Sequence, residues 1–250
     1  RNYLHGTKEE EIGPAHVDGW QTYAVNPGEY AKDILIDGNI LTGPFMNGVM
    51  IEGKKEWGGK PFSAENIIVR NNVFADGQTI LLAVGVQNVS VCNNTFMNND
   101  GRGVCFETQD DGCVSRGIIR NNIFSNCCII YMNLAPGVEP LPFQKGSVQE
   151  VSHNLIFHTA IRHEARFWPG EILNRDPLLT DSVSIVGRDG KPFTSDDGYV
   201  LKPGSPCIDA GEEINETGAA RDIFGTTRPR GAGWDIGAYE LIASRQSEGR

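Results

Sequence analysis

The sequence predicts an all-β protein whose short strands wind into a solenoid. The first observation is an internal repeat, because five segments superpose with an Asn at one shared place. The second is composition: 30 glycines and many Asn-containing dipeptides, with few long apolar runs, are typical of a chain that turns often. The third is length, since 250 residues are enough for one large all-β domain with a sizeable core.

The repeated segments are ILIDGNIL, IIVRNNVF, VSVCNNTF, GIIRNNIF and EVSHNLIF, and their shared residues are Asn39, Asn72, Asn94, Asn122 and Asn154. Consecutive shared residues are 33, 22, 28 and 32 positions apart. Each segment alternates apolar and polar residues, reaches the Asn and continues with an apolar pair, which predicts strand, tight turn and strand. Each segment therefore belongs to one coil, and we expect about five or six coils.

Stacking of these coils would place equivalent residues directly above one another. Strands of successive coils in a parallel solenoid lie about 4.8 Å apart. We therefore expect the five Asn side chains to form a hydrogen-bonded ladder, in which each Asn also adopts the left-handed backbone of a turn. We interpret these residues as scaffold rather than as a functional site.

The NNxF repeats resemble those of right-handed parallel β-helix proteins of the pectate-lyase-like group, over residues 13–168. The tail motifs DPLL, YVLKPGSPCIDAG and DIFGTTRPRGAGWDIGAYE look like the C-terminal end of many secreted bacterial β-helix proteins. The resemblance implies a right-handed parallel β-helix and a secreted or cell-surface location.

The domain organisation follows from the extent of the repeats. Residues 1–168 are predicted to form the coils, and residues 169–250 a C-terminal cap or tail packed on them within one structural domain. A cap is expected because a solenoid otherwise exposes the edges of its last strands and its apolar core. Asp222, Arg228 and Asp235 alternate with glycines in the tail, so we expect buried ion pairs and turn hydrogen bonds from them.

Charge and cysteine content limit the partners. The chain has 32 acidic and 22 basic residues, and its net charge of −10 disfavours nucleic acid and an anionic membrane. It begins RNYLHGTKEEE, without Met or an apolar leader, so we expect a mature chain or a fragment. We also expect a monomer. The six cysteines lack the paired spacing of a zinc site. We expect buried thiols, with a disulfide such as Cys92 to Cys113 left open.

The stretch HVDGWQTY, residues 16–23, brings polar and aromatic side chains together. Its segment VDGWQT aligns with MNGVMI and GRGVCF on their shared glycines. This alignment stacks Asp18, Asn47 and Arg102 in one column, with His16 close to it. These side chains are expected to converge on one outer face of the solenoid.

Further side chains are expected to bind substrate on that face and in the loops beside it. Glu52–Asn66 and Met132–Ser147 fall between repeats and are predicted to be loops that wall a groove for a chain-like ligand. Gln78 joins the column if GQTILL is the intervening coil, within a register error of about one residue. The predicted substrate-binding residues are Gln21, Asn47, Lys54, Lys55, Trp57, Gln78 and Glu107.

A polysaccharide is the expected substrate, and two chemistries suit this face. A lyase acting on uronate sugars needs a base and a group that neutralises the sugar carboxylate. His16 is then the base, Arg102 or a cation neutralises the carboxylate, and Asn47 and Gln21 orient the substrate. We predict His16, Asp18 and Arg102 as the catalytic residues.

Inverting glycoside hydrolysis is the alternative chemistry, and it requires two carboxyl groups roughly 6.5 to 9.5 Å apart. Asp18 with Asp76, Asp100 or Glu107 on neighbouring coils is the sequence candidate for such a pair. A glycan-binding or surface-structural protein without catalysis is the remaining alternative, and fold analogy does not separate these three.

Two places in the sequence offer side chains that can bind metal ions. Asp110 and Asp111 in QDDGC offer oxygen ligands for Ca²⁺ but lack the spacing of an EF-hand loop, so Ca²⁺ is left open and no other cofactor is predicted. His153, His158 and His163 recur every five residues, which fits neither a helix face nor a strand face. We do not predict a metal site from them.

Overall fold

The fold was taken from a computed structural model. It describes residues 1–8, 10, 16–101, 103–113, 115–129, 148–161, 169–215 and 220–241. In these residues the chain forms twenty β-strands joined by turns and loops. No helix with the length and hydrophobicity required to cross a membrane occurs in this part of the chain.

The strands are short and follow one another closely. The first ten are β1 (Tyr3–Leu4), β2 (Asp18–Tyr23), β3 (Ala31–Asp37), β4 (Ile40–Thr42), β5 (Asn47–Glu52), β6 (Lys55–Trp57), β7 (Lys60–Phe62), β8 (Ala64–Arg70), β9 (Val73–Ala75) and β10 (Thr79–Val84). The others are β11 (Gln87–Cys92), β12 (Thr95–Met97), β13 (Val104–Glu107), β14 (Gly117–Arg120), β15 (Ile123–Ser125), β16 (Cys128–Ile129), β17 (Val148–Ser152), β18 (Leu155–Phe157), β19 (Ala160–Ile161) and β20 (Ile172–Leu173).

The strands stack into three parallel sheets that we name A, B and C. Sheet A has the order β1-β4-β9-β12-β15-β18-β20, sheet B the order β13-β10-β5-β2 and sheet C the order β17-β14-β11-β8-β3. The chain passes through sheets A, B and C in turn, and one passage through all three sheets makes one coil. Strands β16 and β19 form a further parallel pair, and β6 and β7 form an antiparallel hairpin. The predicted solenoid of parallel strands is confirmed.

The interior of the column is filled by the apolar residue that follows the repeated Asn by two positions. Pairing between the sheet A strands stacks Leu41, Phe74, Phe96, Phe124 and Ile156. All five are buried, and the ring centroids of Phe96 lie 5.5 Å from those of Phe74 and 4.8 Å from those of Phe124. The phenylalanine of the NNxF repeat is therefore a core residue.

The repeated asparagines form the predicted ladder. The first four donate from the backbone N and from Nδ2 to Oδ1 of the Asn in the next coil, with N···O distances of 2.9 to 3.1 Å. The five members are Asn39, Asn72, Asn94, Asn122 and Asn154, and all are buried. The ladder gives partners to polar groups that would each cost about 1 to 3 kcal/mol if buried without one.

The left-handed turn does not belong to the ladder residues, and this expectation was wrong. The residue immediately before each ladder Asn has a positive φ, between 52° and 71°: Gly38, Asn71, Asn93, Asn121 and His153. Gly lacks a Cβ, and short polar side chains tolerate this conformation. The two tasks are divided because the turn residue redirects the chain, while the next residue points its amide into the ladder.

A second corner follows four residues after each ladder Asn. Its residues are Gly43, Asp76, Asn98, Asn126 and His158, all with positive φ. The spacing of His153 and His158 is explained by these two corners, because one lies just before Asn154 and the other four residues after it. His163 lies outside the described residues.

The ladder begins and ends with other side chains. Asn2 Nδ2 donates to Asn39 Oδ1 at 2.9 Å in the first coil. At the other end Asn154 Nδ2 donates to Glu171 Oε1 at 2.9 Å, whereas Oε2 of Glu171 is buried and receives no hydrogen bond from the described residues. Burial raises the pKa of Glu171 to about 7, although the bonds from Asn154 oppose this shift.

The tail contains the expected buried ion pair and turn bonds, with one difference in partner. Arg228 Nη1 lies 2.7 Å from Glu240 Oε2, and neither side chain is exposed. Asp222 accepts hydrogen bonds from the backbone N of Thr226 and Glu240. Asp235 accepts from the backbone in the same way. The charge partner of Arg228 is thus Glu240, which the sequence had not indicated.

The described tail packs along the side of sheet A, and its strand β20 extends that sheet beyond β18 of the last coil. Outward-facing residues of successive coils contact it: Ile40, Val73, Met97, Ile123 and Leu155. Buried tail residues in the same cluster include Leu179, Tyr199, Ile236 and Tyr239. Sheet A is apolar on its outer face as well as on its inner face. Burial of the outer face against the tail therefore stabilises the fold.

The five cysteines whose side chains the structure describes are buried thiols, as expected. Cys92, Cys105, Cys113, Cys127 and Cys207 are not in disulfides, so the Cys92–Cys113 disulfide is not formed. Burial raises the pKa of Cys207 to about 12 and also raises that of Cys113. Thiols in this state are poor nucleophiles.

Candidate functional site

Sheet B carries the predicted column. Asp18 of β2 pairs with Asn47 of β5, so the stacking of these two residues is confirmed. Asn47 pairs on its other side with Thr79 of β10, which means that Gln78 lies one residue before the column and is exposed. Arg102 lies outside the described residues.

The glycines used to align the coils have a steric role. A Cβ atom on Gly48 would lie 2.6 Å from Cδ1 of Phe74, and one on Gly19 would lie 2.3 Å from Cδ2 of Leu41. Both distances are shorter than real Cβ contacts allow. Glycine is therefore required where sheet B approaches the core side chains of sheet A. This requirement explains why the coil segments align on their glycines.

Asp18 and Asn47 form a buried pair instead of facing the solvent, so the expected exposure of the column was wrong. Oδ1 of Asp18 accepts from the backbone N of Asn47 at 3.1 Å and from Nδ2 at 2.8 Å. Oδ2 of Asp18 is buried, and no described residue donates to it. His16 Nδ1 lies 3.9 Å from this oxygen, and the side chain of His16 is 47% exposed against 2% for Asp18. His16 is thus the accessible member of the group.

A line of side-chain contacts continues from this pair along β2. Asn47 Nδ2 lies 3.9 Å from Met50 Sδ, and Gln21 Nε2 lies 3.2 Å from the same sulfur. Gln21 also donates to the Tyr23 hydroxyl. Burial raises the pKa of Tyr23, and the negative charges of nearby carboxylates raise it further, so this phenol keeps its proton at neutral pH.

Two carboxylates lie at the other end of sheet B. Pairing places Tyr23, Glu52, Val84 and Glu107 in one row across four strands. Glu52 and Glu107 are two strands apart, which corresponds to roughly 9.6 Å between their Cα atoms. Gln109 Nε2 donates to Glu52 Oε1 at 2.7 Å. Glu52, Tyr23 and Gln109 were not predicted.

The sequence did contain an indication of this carboxylate pair. The aligned segments MNGVMI and GRGVCF are each followed by a Glu, namely Glu52 and Glu107. The register also corrects the proposed pairing of Asp18 with Glu107, because Glu107 shares its row with Tyr23, five residues further along β2. Asp76 belongs to a corner, where it accepts from Thr42 and Asn98. Asp100 is exposed beyond the next corner.

The hairpin of β6 and β7 carries Trp57 beside sheet B. Trp57 Nε1 donates to the Asn26 carbonyl at 2.6 Å, and Tyr30 Oη donates to the Trp57 carbonyl at 3.2 Å. Lys60 Nζ lies 4.1 Å from the centroid of the Tyr30 ring. Trp57 is partly buried, and its contacts hold the hairpin against the preceding loop.

The lysines predicted to bind substrate are on the same hairpin. Lys55 is exposed, and its backbone N donates to Asp111 Oδ2 at 2.7 Å. Lys54 is half-buried, with its backbone N bonded to Ser63 Oγ at 2.7 Å. Asp111 Oδ1 accepts from the Cys113 backbone, so this acidic turn is organised by backbone bonds. Across the described residues no group of three or more His, Cys, Asp or Glu is placed to hold a metal ion.

A family model for the right-handed β-helix region matches residues 6–160, which is more than half of the chain. The chain belongs to the right-handed β-helix family. The match agrees with the parallel sheets and gives the solenoid its hand. Right-handed β-helix domains are common in enzymes that act on polysaccharides. A search of curated proteins finds no match to this chain.

Proposed function

We propose that the protein is an extracellular polysaccharide lyase that cleaves a uronate-containing glycan and uses His16 as its base. A lyase of this class removes the proton next to the sugar carboxylate and expels the glycosidic oxygen. The base must reach substrate, and imidazole is the side chain most often used for such transfers. His16 is accessible, and it lies at the end of a line of polar side chains on one face of a β-helix.

The observation that carries the proposal is the side-chain oxygen Oδ2 of Asp18, which has no hydrogen-bond partner in the described part of the chain. Oδ2 is buried and lies 3.9 Å from His16 Nδ1, while Asn47 holds the other oxygen with two hydrogen bonds. A fixed carboxylate beside one imidazole nitrogen orients the ring and stabilises its protonated form. Catalytic hydrogen bonds are often long before substrate binds, so 3.9 Å is compatible with this role.

The reaction assigns a role to each neighbouring group. Nε2 of His16 takes the proton from the carbon that bears the carboxylate, and the electrons of that C–H bond form a carbon–carbon double bond as the bond to the glycosidic oxygen breaks. The expelled oxygen takes a proton from water. Gln21 donates hydrogen bonds that orient the sugar, and Arg102 is the predicted group that neutralises the substrate carboxylate.

The proposal is tested by incubating the full chain with a panel of polyuronates and neutral glycans. Ultraviolet absorbance reports new double bonds, and a reducing-end assay reports every cleavage. For a lyase both signals rise together on a polyuronate. His16→Ala should lower turnover by about 10²- to 10⁴-fold with an unchanged melting temperature, because it removes a general base. His5→Ala, which changes another exposed histidine, is the matched control.

Other results contradict the lyase. Reducing ends without double bonds would show hydrolysis, and glycan binding without either signal would show a binding protein. Full activity of His16→Ala would remove His16 as the base. Each outcome is read on the folded protein, since circular dichroism checks the variants.

Hydrolysis is the second candidate because Glu52 and Glu107 share a row. Their spacing of roughly 9.6 Å between Cα atoms suits the separation of carboxyl groups in inverting glycosidases. Glu52→Gln and Glu107→Gln distinguish the two chemistries. Under the lyase proposal Glu52→Gln keeps most of its activity, and under inverting hydrolysis both variants lose it.

A further inference from the structure

A cleft separate from the His16 group lies between the coils and the tail. Its volume is about 360 Å³, within the range of small-ligand sites. One wall is formed where β15 and β18 end, at Asn126 and Phe157, and the other by tail residues 176–182 together with Lys202. None of these residues belongs to the proposed catalytic group.

The polar atoms of the cleft are held in place by the chain around them. Asp176 Oδ1 accepts from the backbone N of Leu178 at 2.8 Å. Asp181 Oδ1 accepts from the backbone N of Val183 at 2.9 Å. Asn126 Nδ2 donates to the neighbouring corner residue Asn98 at 3.1 Å, which fixes the direction of its amide oxygen. Three oxygen-bearing side chains therefore line the cleft in defined orientations.

The charge of the lining favours a neutral ligand with hydroxyl groups. Backbone hydrogen bonds lower the pKa of Asp181, and the positive charge of Lys202 lowers it further, so this group is ionised at neutral pH. Carboxylates are acceptors only, and sugar hydroxyls are suitable donors to them. The lining carries two carboxylates, Asp176 and Asp181, and one lysine, so its negative charge disfavours a ligand that itself carries a carboxylate. Phe157, whose ring stacks on that of His158, adds apolar surface to the lining.

We infer that this cleft binds a neutral sugar unit of the glycan. The inference rests on the proposed function, because it takes a glycan as the substrate, and it adds that the glycan carries neutral sugars as well as uronates. Asp18 is on β2 in the first coil, and the cleft is bounded by strands of the fourth to sixth coils. The separation along the column is about 14 to 24 Å, so one glycan lying along the coils reaches both places.

Saturation-transfer NMR on the full chain tests the inference, with the methyl glycosides of glucose, galactose and galacturonic acid as probes. At least one neutral glycoside should bind, and the part of galacturonate binding that is lost in Ser182→Trp should be at least fivefold weaker. Ser182→Trp fills the rim of the cleft and should weaken neutral binding at least tenfold. Ser195→Trp, at an exposed tail serine that does not line the cleft, should not. Asp176→Asn with Asp181→Asn keeps the Oδ1 acceptors and should bring the galacturonate within twofold of the neutral probe.

The measurement is repeated in His16→Ala so that the two proposals fail separately. If His16→Ala still binds the neutral glycosides and the parent chain has no lyase activity, the cleft is supported and the lyase proposal is contradicted. Active lyase with equal neutral binding in Ser182→Trp and Ser195→Trp would overturn the cleft alone. Galacturonate binding that is tighter than neutral binding and is lost in Ser182→Trp would also overturn it, as would the absence of any neutral binding.

Discussion

The Asn ladder and the Asp18–Asn47 pair use the same two hydrogen bonds for different ends. In both, a backbone N and an Nδ2 of one Asn donate to a single side-chain oxygen on the adjacent coil. Within the ladder the acceptor is another amide, whose own Nδ2 has partners. In the pair the acceptor is a carboxylate, and its second oxygen has no partner among the described residues.

The difference separates scaffold from candidate chemistry. A ladder amide has its polar atoms paired, so little is left to act on a substrate. Glu171 sharpens the comparison, because it also accepts from an Asn and also has an unpaired buried oxygen. The feature that distinguishes Asp18 is His16, an exposed imidazole 3.9 Å from its free oxygen.

The largest effect on stability is expected at the middle of the ladder. Asn94→Leu leaves the backbone N of Asn72 without its acceptor and removes one donor from each of the carbonyls of Val69 and Cys92. A buried N–H without a partner costs about 1 to 3 kcal/mol and each further lost hydrogen bond about 0.5 to 1.5 kcal/mol, so the free energy of unfolding should fall by about 3 kcal/mol. Urea denaturation measures this change. An unaltered midpoint would show that the ladder does not stabilise the column.

Asp18→Asn tests whether the pair is functional. The amide keeps Oδ1 for Asn47, so we expect the free energy of unfolding to change by less than about 1 kcal/mol. Turnover should fall about 100-fold, because an amide does not stabilise a protonated His16 as a carboxylate does. Denaturation and lyase assays on the same preparation check both values. A loss of activity only in proportion to unfolding would make the pair structural.

Glu171 predicts a pH dependence of stability. Its pKa is about 7 in the fold against about 4.3 in an unfolded chain, so the folded state binds more protons between these values. Its contribution to stability is full below about pH 4 and is lost as the pH rises through 7. Glu171→Gln should therefore be more stable than the parent by about 2 to 3 kcal/mol at pH 8 and similar at pH 4. Melting curves at both pH values measure the difference, and parallel curves would contradict it.

The smallest effect is expected at an exposed corner. Asn98 donates to Asp76 and accepts from Asn126, as in the ladder, but its side chain is exposed. Water replaces these bonds, and glycine accepts the positive φ of 54°. Asn98→Gly should change the free energy of unfolding by less than about 1 kcal/mol. A loss of stability comparable to that of Asn94→Leu would show that burial is not what distinguishes the Asn ladder from the hydrogen-bonded corner residues.

The repeats could be predicted from the sequence because every coil solves the same packing problem. An apolar residue fills the interior, an amide satisfies the ladder and a residue tolerant of positive φ turns the corner, so Asn93, Asn94 and Phe96 recur in register. The Asp18–Asn47 stacking could be predicted for the same reason. The exposure of these two residues could not, because side-chain burial depends on neighbours that are distant in sequence.

The carboxylate row lies just beyond the segments that align on their glycines. Glu52 and Glu107 stand one position beyond the aligned segments, so continuing the alignment finds them. Their distance from Asp18 along β2 was available only from the strand register. The partner of Arg228 is a similar case, because Glu240 follows it by twelve residues without any periodic relation.

The sequence by itself determined the solenoid, the ladder and the corners, because in a repeated coil these depend on neighbours at fixed positions. Only the tertiary structure decided that the tail lies along sheet A, that the carboxyl group of Asp18 is buried with one free oxygen beside His16, and that a polar cleft opens between coils and tail. These features join segments whose separation follows no period. Their geometry is fixed by how surfaces pack, which no local pattern of residues encodes.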